Sequence, residues 1–238
     1  MRAVDALAAG NGYAVSGSRG DALRLWKEAT PSRRERVELA KRLYAACVKP
    51  TYVIADRCHD AIEILTSMAA PDRETVFLLA SIHDSLDDHA AAAALMDQLL
   101  LRGNDREAED SKVIYLYRAG NDDEALAFAG RILASHASWA AYFVRGSIRL
   151  QRCDIDAAIR DFEGALAGVP SKDYRFTWIH FQLGTALWER GDVNGALQQW
   201  REYSRLQPGA PVVEDTIRRA TEGRLPRRCS ADGAQRAG

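Results

Sequence analysis

The 238-residue chain lacks most of the features that would assign it to chemistry or to a membrane. No apolar run approaches the length needed to span a bilayer; the alanine-rich stretch from Ala90 to Ala94 is short and flanked by aspartate and histidine. The opening residues, Met1-Arg-Ala-Val-Asp-Ala-Leu, carry no apolar run of signal-peptide length. There are only four cysteines, Cys47, Cys58, Cys153 and Cys229, and no pair has a metal-ligand or redox spacing. Three of them fall in helical or turn patterns, so the expectation is small apolar packing in a reduced, cytoplasmic setting. Net charge is −1 with both signs interspersed, which excludes the basic stripe of a nucleic-acid-binding surface. No segment alternates like a strand.

Catalytic motifs are missing as well. Gly10-Asn-Gly12-Tyr-Ala-Val15 imitates a dinucleotide loop but lacks the third glycine and a preceding strand. There is no Gly-Lys-Ser/Thr phosphate loop and no Gly-x-Ser-x-Gly nucleophile elbow. His83-Asp84-Ser85-Leu86-Asp87-Asp88-His89 gathers residue types that bind metals. Its histidines are six apart and share no helix face, so the segment reads as a turn whose aspartates cap helices. The expectation is a non-enzymatic protein without cofactor or metal.

What is present is a repeat. Gly120-Asn-Asp-Asp-Glu-Ala125 recurs as Cys153-Asp-Ile-Asp-Ala-Ala158 and as Gly191-Asp-Val-Asn-Gly-Ala196. Downstream, Ala158, Phe162, Ala165 and Pro170 recur as Ala196, Trp200, Tyr203 and Pro208. A fixed period of this size signals stacked helix–turn–helix units, each burying its apolar face on the next. Small residues let paired helices approach, and the large ring between them fills the space. Prolines stop each second helix because they lack an amide donor and restrict the preceding residue. Ser32 with Glu35 forms a capping box. Abundant alanine and few β-branched residues suit close helix contacts.

The pattern resembles the tetratricopeptide repeat. The last copy supplies His180, Leu183, Gly184, Leu187, Ala196, Trp200 and Pro208, with Tyr203 where a small residue is usual. The preceding copy supplies Tyr142, Gly146, Ala158, Phe162, Ala165 and Pro170, but has Arg145 and Arg149 where leucine and an aromatic are expected. Upstream the phase continues through Ala125, Ala129 and Ile132, through Ala92, Met96 and Leu99, and through Ala61, Leu65 and Met68 after a longer loop at Lys49 and Pro50. The first copy carries Gly10, Tyr13, Gly17, Ala22, Trp26 and Ala29. The resemblance covers roughly residues 3–210 and implies an all-α, right-handed superhelical solenoid of about six repeats at the family's ~34-residue period, a domain of residues 1–222 with its capping helix. Pro211 to Ala220 reads as a C-terminal capping helix, with Val213, Ile217 and Ala220 inward and Glu214, Asp215, Arg218 and Arg219 outward. Residues 223–238, almost without large apolar side chains, read as a disordered tail.

In this family the first helices of successive repeats line a concave groove. Carried onto this sequence, the groove positions are Trp178, Phe181, Gln182, Thr185 and Trp188 on the last repeat, and Ala140, Phe143, Val144, Ser147 and Leu150 on the one before. Earlier repeats supply Glu74, Phe77, Leu78, Ser81 and Asp84, and Asp110, Ser111, Ile114 and Tyr117. The predicted partner-binding residues are therefore Phe77, Tyr117, Phe143, Val144, Trp178, Phe181 and Trp188. The C-terminal half is apolar and the upstream part more acidic. Family members that hold acidic chaperone tails use lysine and asparagine, where this chain has Phe143, Ser147, Phe181 and Thr185; that role is not implied. Aromatic anchors favour a protein or peptide partner bearing apolar side chains, in an adaptor or assembly factor. A regulatory sensor for a small ligand or signalling peptide is the alternative. The aromatic stripe also admits a core reading, with Trp178 and Phe181 packed on Tyr174 and Phe176 and Trp188 under the capping helix.

Overall fold

The computed structural model describes residues 19–30, 32–48, 54–169 and 174–229. Twelve helices and no strand are found among the described residues. The chain divides into two compact units, Met1–Ala119 and Gly120–Gly238.

The first unit contains α1 (Arg19–Ala29), α2 (Arg33–Cys47), α3 (Ala55–Thr66), α4 (Arg73–Ser85), α5 (His89–Leu100) and α6 (Arg106–Arg118). Helix α2 starts at the expected capping box: Ser32 accepts from the Glu35 amide, and the Glu35 side chain accepts from the Ser32 amide. Its apolar side meets α3, which also packs on α1, and the cluster buries Trp26, Leu39, Leu43, Ile64 and Leu65. A second cluster, Val76, Ala80, Ala92, Met96, Leu99 and Ala108, joins α4, α5 and α6.

The second unit contains α7 (Asp122–Ser135), α8 (Trp139–Gln151), α9 (Ile155–Gly168), α10 (Tyr174–Arg190), α11 (Val193–Leu206) and α12 (Pro211–Thr221). Helices α8 and α9 form one hairpin and α10 and α11 the next, with α9 packed on α10. The marker alanines Ala61, Ala92, Ala125, Ala158 and Ala196 are all fully buried, on α3, α5, α7, α9 and α11. This is why the alanine recurs: a larger side chain would separate the helices. Gly184 makes the case most sharply, since a Cβ there would stand 2.6 Å from the Trp200 ring. Helix α12 caps the stack as expected, burying Val213 and Ala220 while Asp215 pairs outward with Arg218 and Arg219.

The repeating phrase has a specific conformation. Asp87, Gly120, Cys153 and Gly191 all have positive φ, of 58°, 78°, 60° and 95°. Each is the left-handed residue that ends a first helix, and the residue after it (Asp88, Asn121, Asp154, Asp192) precedes the second helix. The amides of Asp88, Asp154 and Asp192 return to the carbonyls of His83, Arg149 and Leu187, each at 2.9 Å, closing the turn. Glycine suits this conformation, and a cysteine there costs about 1–2 kcal/mol.

The two arginines that break the repeat pattern share one carboxylate. Asp161 on α9 is 2% exposed; it takes bonds from Arg145 Nη2 at 2.7 Å and Arg149 Nη1 at 2.8 Å. An ion-pair cluster thus replaces the expected leucine and aromatic.

Two sequence expectations are corrected. The cysteines are not thiols used as apolar packing: Cys47 is bonded to Cys58, and Cys153 to Cys229. Their partners lie close only after folding, so spacing along the chain could not reveal them. Nor is the whole of 223–238 a free tail, because Arg224–Cys229 is held against α10, as described below. Several positions lie outside the described residues: Gly10, Tyr13 and Gly17, the loop at Lys49 and Pro50, Pro170, and residues 230–238.

Candidate partner-binding face

In the first unit, Phe77 on α4 is half-buried, and the Arg73 guanidinium lies 4.5 Å from its ring centre. Tyr117 on α6 is half-buried too. The acidic character expected beside them is largely cancelled. Lys41 Nζ donates to Glu74 at 2.5 Å, and that hydrogen bond raises the lysine pKa. Arg118 donates to both oxygens of Asp84, whose Oδ1 also faces His89 Nδ1 at 3.0 Å. His83 Nδ1 faces Asp88, the N-cap of α5, at 3.0 Å. The histidine–aspartate segment is therefore a turn tied down by side-chain contacts, with no metal-ligating cluster among the described residues. A surface furrow of about 750 Å³ runs along α2, lined by Arg33, Arg34, Lys41, Glu38, Asp72 and Glu74. Its opposite charges pair with each other: Arg33 with Asp72, and Lys41 with Glu74. Asp72, the N-cap of α4, is held down to a pKa of about 2, chiefly by the Thr75 amide, then by the Thr75 hydroxyl and Arg33.

The second unit holds the rest of the predicted site. Helices α8 and α10 touch, so their groove positions fall on neighbouring elements. On α8 most of those positions are closed: Ala140, Val144, Ser147 and Leu150 are buried, Val144 completely. Val144 is thus a core residue. Phe143 is half-buried, with its ring 6.1 Å from Phe162.

Helix α10 is more open. Trp178, Phe181, Thr185 and Trp188 repeat at three- and four-residue steps and so share a stripe. Trp178 is 51% exposed. Its ring stands edge-on to Phe181 at 5.9 Å and to Tyr203 of α11 at 6.0 Å, while Phe181 meets Tyr203 at 6.0 Å. Three aromatic edges in mutual contact hold the exposed indole in place. Sequence reasoning omitted Tyr203, although its departure from the small residue usual there was the available signal. The side chains of Tyr174 and Phe176, the expected packing partners in a core reading, lie outside the described residues.

Trp188 ends the stripe and is only 6% exposed. One face tilts against Trp200 at 6.0 Å. What covers it further is the segment after α12. Arg227 places its guanidinium 5.2 Å from the Trp188 ring centre and donates Nε to the Trp188 carbonyl at 2.9 Å. Trp188 Nε1 donates to the Pro226 carbonyl at 3.4 Å. Glu189 accepts the amides of Arg228 and Cys229 at 3.1 and 2.9 Å, and Leu225 packs on the core. The Cys153–Cys229 bond fixes the end of this strap to the turn between α8 and α9.

No protein-family model matches the sequence, and no curated protein is similar to it. Solved structures do resemble the fold. A thermophilic tetratricopeptide-repeat protein from Thermus thermophilus aligns over 80% of this chain and all of its own, with TM-score 0.56 and 17% identity. A tetratricopeptide-repeat protein from Parabacteroides merdae aligns over 92% of this chain and 98% of its own, with TM-score 0.55 and 12% identity. The fold is an all-α helical repeat of the tetratricopeptide type.

Proposed function

We propose that this protein is a non-enzymatic repeat scaffold, an adaptor or assembly factor, that holds a protein or peptide partner against the aromatic stripe of α10. The observation that carries the reading is Trp178: a large apolar side chain half open to solvent, braced by Phe181 and Tyr203. Rings of this kind, fixed before binding, lose little conformational entropy on contact and supply most of the energy at interfaces. Gln182 and Thr185 on the open side of the same helix offer polar groups beside it. Half-buried Phe143 on the neighbouring α8 is a further candidate contact. The fold fits this role, since stacked helical repeats present extended surfaces for recognition.

The pairing of all four cysteines favours an oxidising setting over the reduced cytoplasm expected from the sequence. Disulfides persist in oxidising compartments, and the bonded form belongs there.

The test is selection of peptides from a displayed random library on the folded, oxidised protein. Selected peptides should carry aromatic or branched apolar residues. Replacing Trp178 or Phe181 by alanine should weaken them by about 2 kcal/mol, near thirtyfold, with the half-exposed Trp178 variant melting close to wild type. Replacing Glu74, which already pairs with Lys41, should leave binding unchanged. Peptides that bind the Trp178→Ala and Phe181→Ala proteins as tightly as wild type would refute the assignment.

A further inference from the structure

The two disulfides differ in their surroundings. Cys47 and Cys58 are both 0% exposed, inside the core of the first unit. Cys153 is exposed and Cys229 half-buried. The second bond therefore lies at the surface of its unit, whereas the first is sealed inside a core. Cys153 also occupies the left-handed turn position where two other copies of the repeat have glycine, Gly120 and Gly191. The residue there departs from the favoured type and makes the bond that ties down the strap.

Beyond that bond, the contacts of the strap are few and specific to an extended segment. They include one cation stacked on an indole face and bonded to the same residue's carbonyl, the indole N–H on the Pro226 carbonyl, two backbone amides on one carboxylate, and one packed leucine. Each is the kind of contact a separate peptide could make. The surface beneath, Trp188 with Glu189, continues the α10 stripe toward its C-terminal end.

We infer that Leu225–Cys229 is a disulfide-latched cover occupying in cis a peptide subsite formed by Trp188 and Glu189, and that reduction of Cys153–Cys229 opens the subsite to an extended segment presenting an arginine. The inference rests on reading the α10 stripe as the binding face. The step is a two-electron thiol–disulfide exchange with a dithiol. One thiolate of the dithiol attacks Sγ of the exposed Cys153, forming a mixed disulfide and expelling Cys229 as a thiolate, which takes a proton. The second thiol of the dithiol then attacks the mixed bond, releasing Cys153 as a thiol and closing the dithiol's own disulfide. With the latch open, the strap keeps only its part-buried hydrogen bonds, the Arg227–Trp188 contact and Leu225, and competes with ligands in solution.

The test uses full-length protein in three forms: oxidised wild type, wild type treated with dithiothreitol, and Cys153→Ser. Alkylation and mass measurement should find two reactive thiols, not four, after mild reduction. Hydrogen exchange at the amides of Arg228 and Cys229 should be at least tenfold faster in the reduced and Cys153→Ser forms than in the oxidised one. A synthetic peptide with the sequence of residues 224–228 should bind those two forms at least tenfold more tightly than oxidised protein. Adding Glu189→Gln to Cys153→Ser should weaken the peptide. Unchanged amide protection without the bond, or equal peptide affinity in all three forms, would overturn the inference. The outcomes separate it from the broader reading. If library-selected peptides need Trp178 but ignore the redox state, the latch fails and the face stands. If exchange speeds up and the 224–228 peptide binds while no selected peptide depends on Trp178, the latch stands and the face reading fails.

Discussion

Exchanging Gly184 for alanine adds a single methyl group at the closest approach of α10 to α11. That Cβ would lie 2.6 Å from Trp200 Cδ1 and Nε1 and 3.1 Å from Cε2. Carbon atoms settle about 3.5–4.0 Å apart, so the indole or the helix must give by about 1 Å. The indole has little room: it is 1% exposed, stands against Trp188, and donates Nε1 to the Phe181 carbonyl at 3.2 Å. Overpacking of this kind costs about 1–3 kcal/mol. Losing the buried indole bond adds about 1–3 kcal/mol. Alanine regains about 0.5–1 kcal/mol over glycine within a helix. The net expectation is a destabilisation of roughly 2–4 kcal/mol. Gly130 on α7 is the control, because it is exposed and a Cβ there meets nothing within 4 Å. Gly130→Ala should therefore stabilise the protein by about 0.5–1 kcal/mol. Urea unfolding followed by tryptophan fluorescence suits both variants, since Trp139, Trp178, Trp188 and Trp200 all lie in the second unit. Equal stability of the two variants would show that the contact at Gly184 is not the constraint it is taken to be.

Removing the shared carboxylate by Asp161→Ala should cost about 2–3 kcal/mol, below the range for a fully buried pair because Arg145 and Arg149 reach water in part. Arg149→Ala should cost less, since Arg145 keeps its own contacts with Asp161; denaturant unfolding that ranks the two the other way would contradict the geometry. Asp72→Ala should lose about 1 kcal/mol of stability at neutral pH by uncapping α4. Because the Asp72 pKa is depressed from 3.8 to about 2, its contribution is present above the ordinary value and disappears as pH falls through about 2. Wild type and variant should then converge at the acid end of a circular-dichroism pH series, and a constant gap would refute the capping role.

The helical repeat was legible in the amino-acid order alone, because its signals are local and periodic. An alanine recurs wherever two helices must touch, a large ring such as Phe162 or Trp200 fills the space between, and a left-handed residue closes each turn. The alanine recurs in five successive hairpins and the left-handed residue in four of the described turns, so the phase is legible even where the ring is absent or Arg145 and Arg149 break the pattern. The capping box at Ser32 and the cap helix at Pro211 were legible for the same reason. Tertiary structure decided what the periodicity leaves open. Trp178 and Trp188 occupy the same stripe of α10, yet one is 51% and the other 6% exposed. Helical spacing says which way a side chain points but not what lies on top of it. The cover comes from a segment about forty residues downstream, held by Cys229, whose partner Cys153 is 76 residues away in the chain. Such a pairing has no local pattern; it exists only because stacking the hairpins brings the two cysteines to within 5.4 Å between Cα atoms.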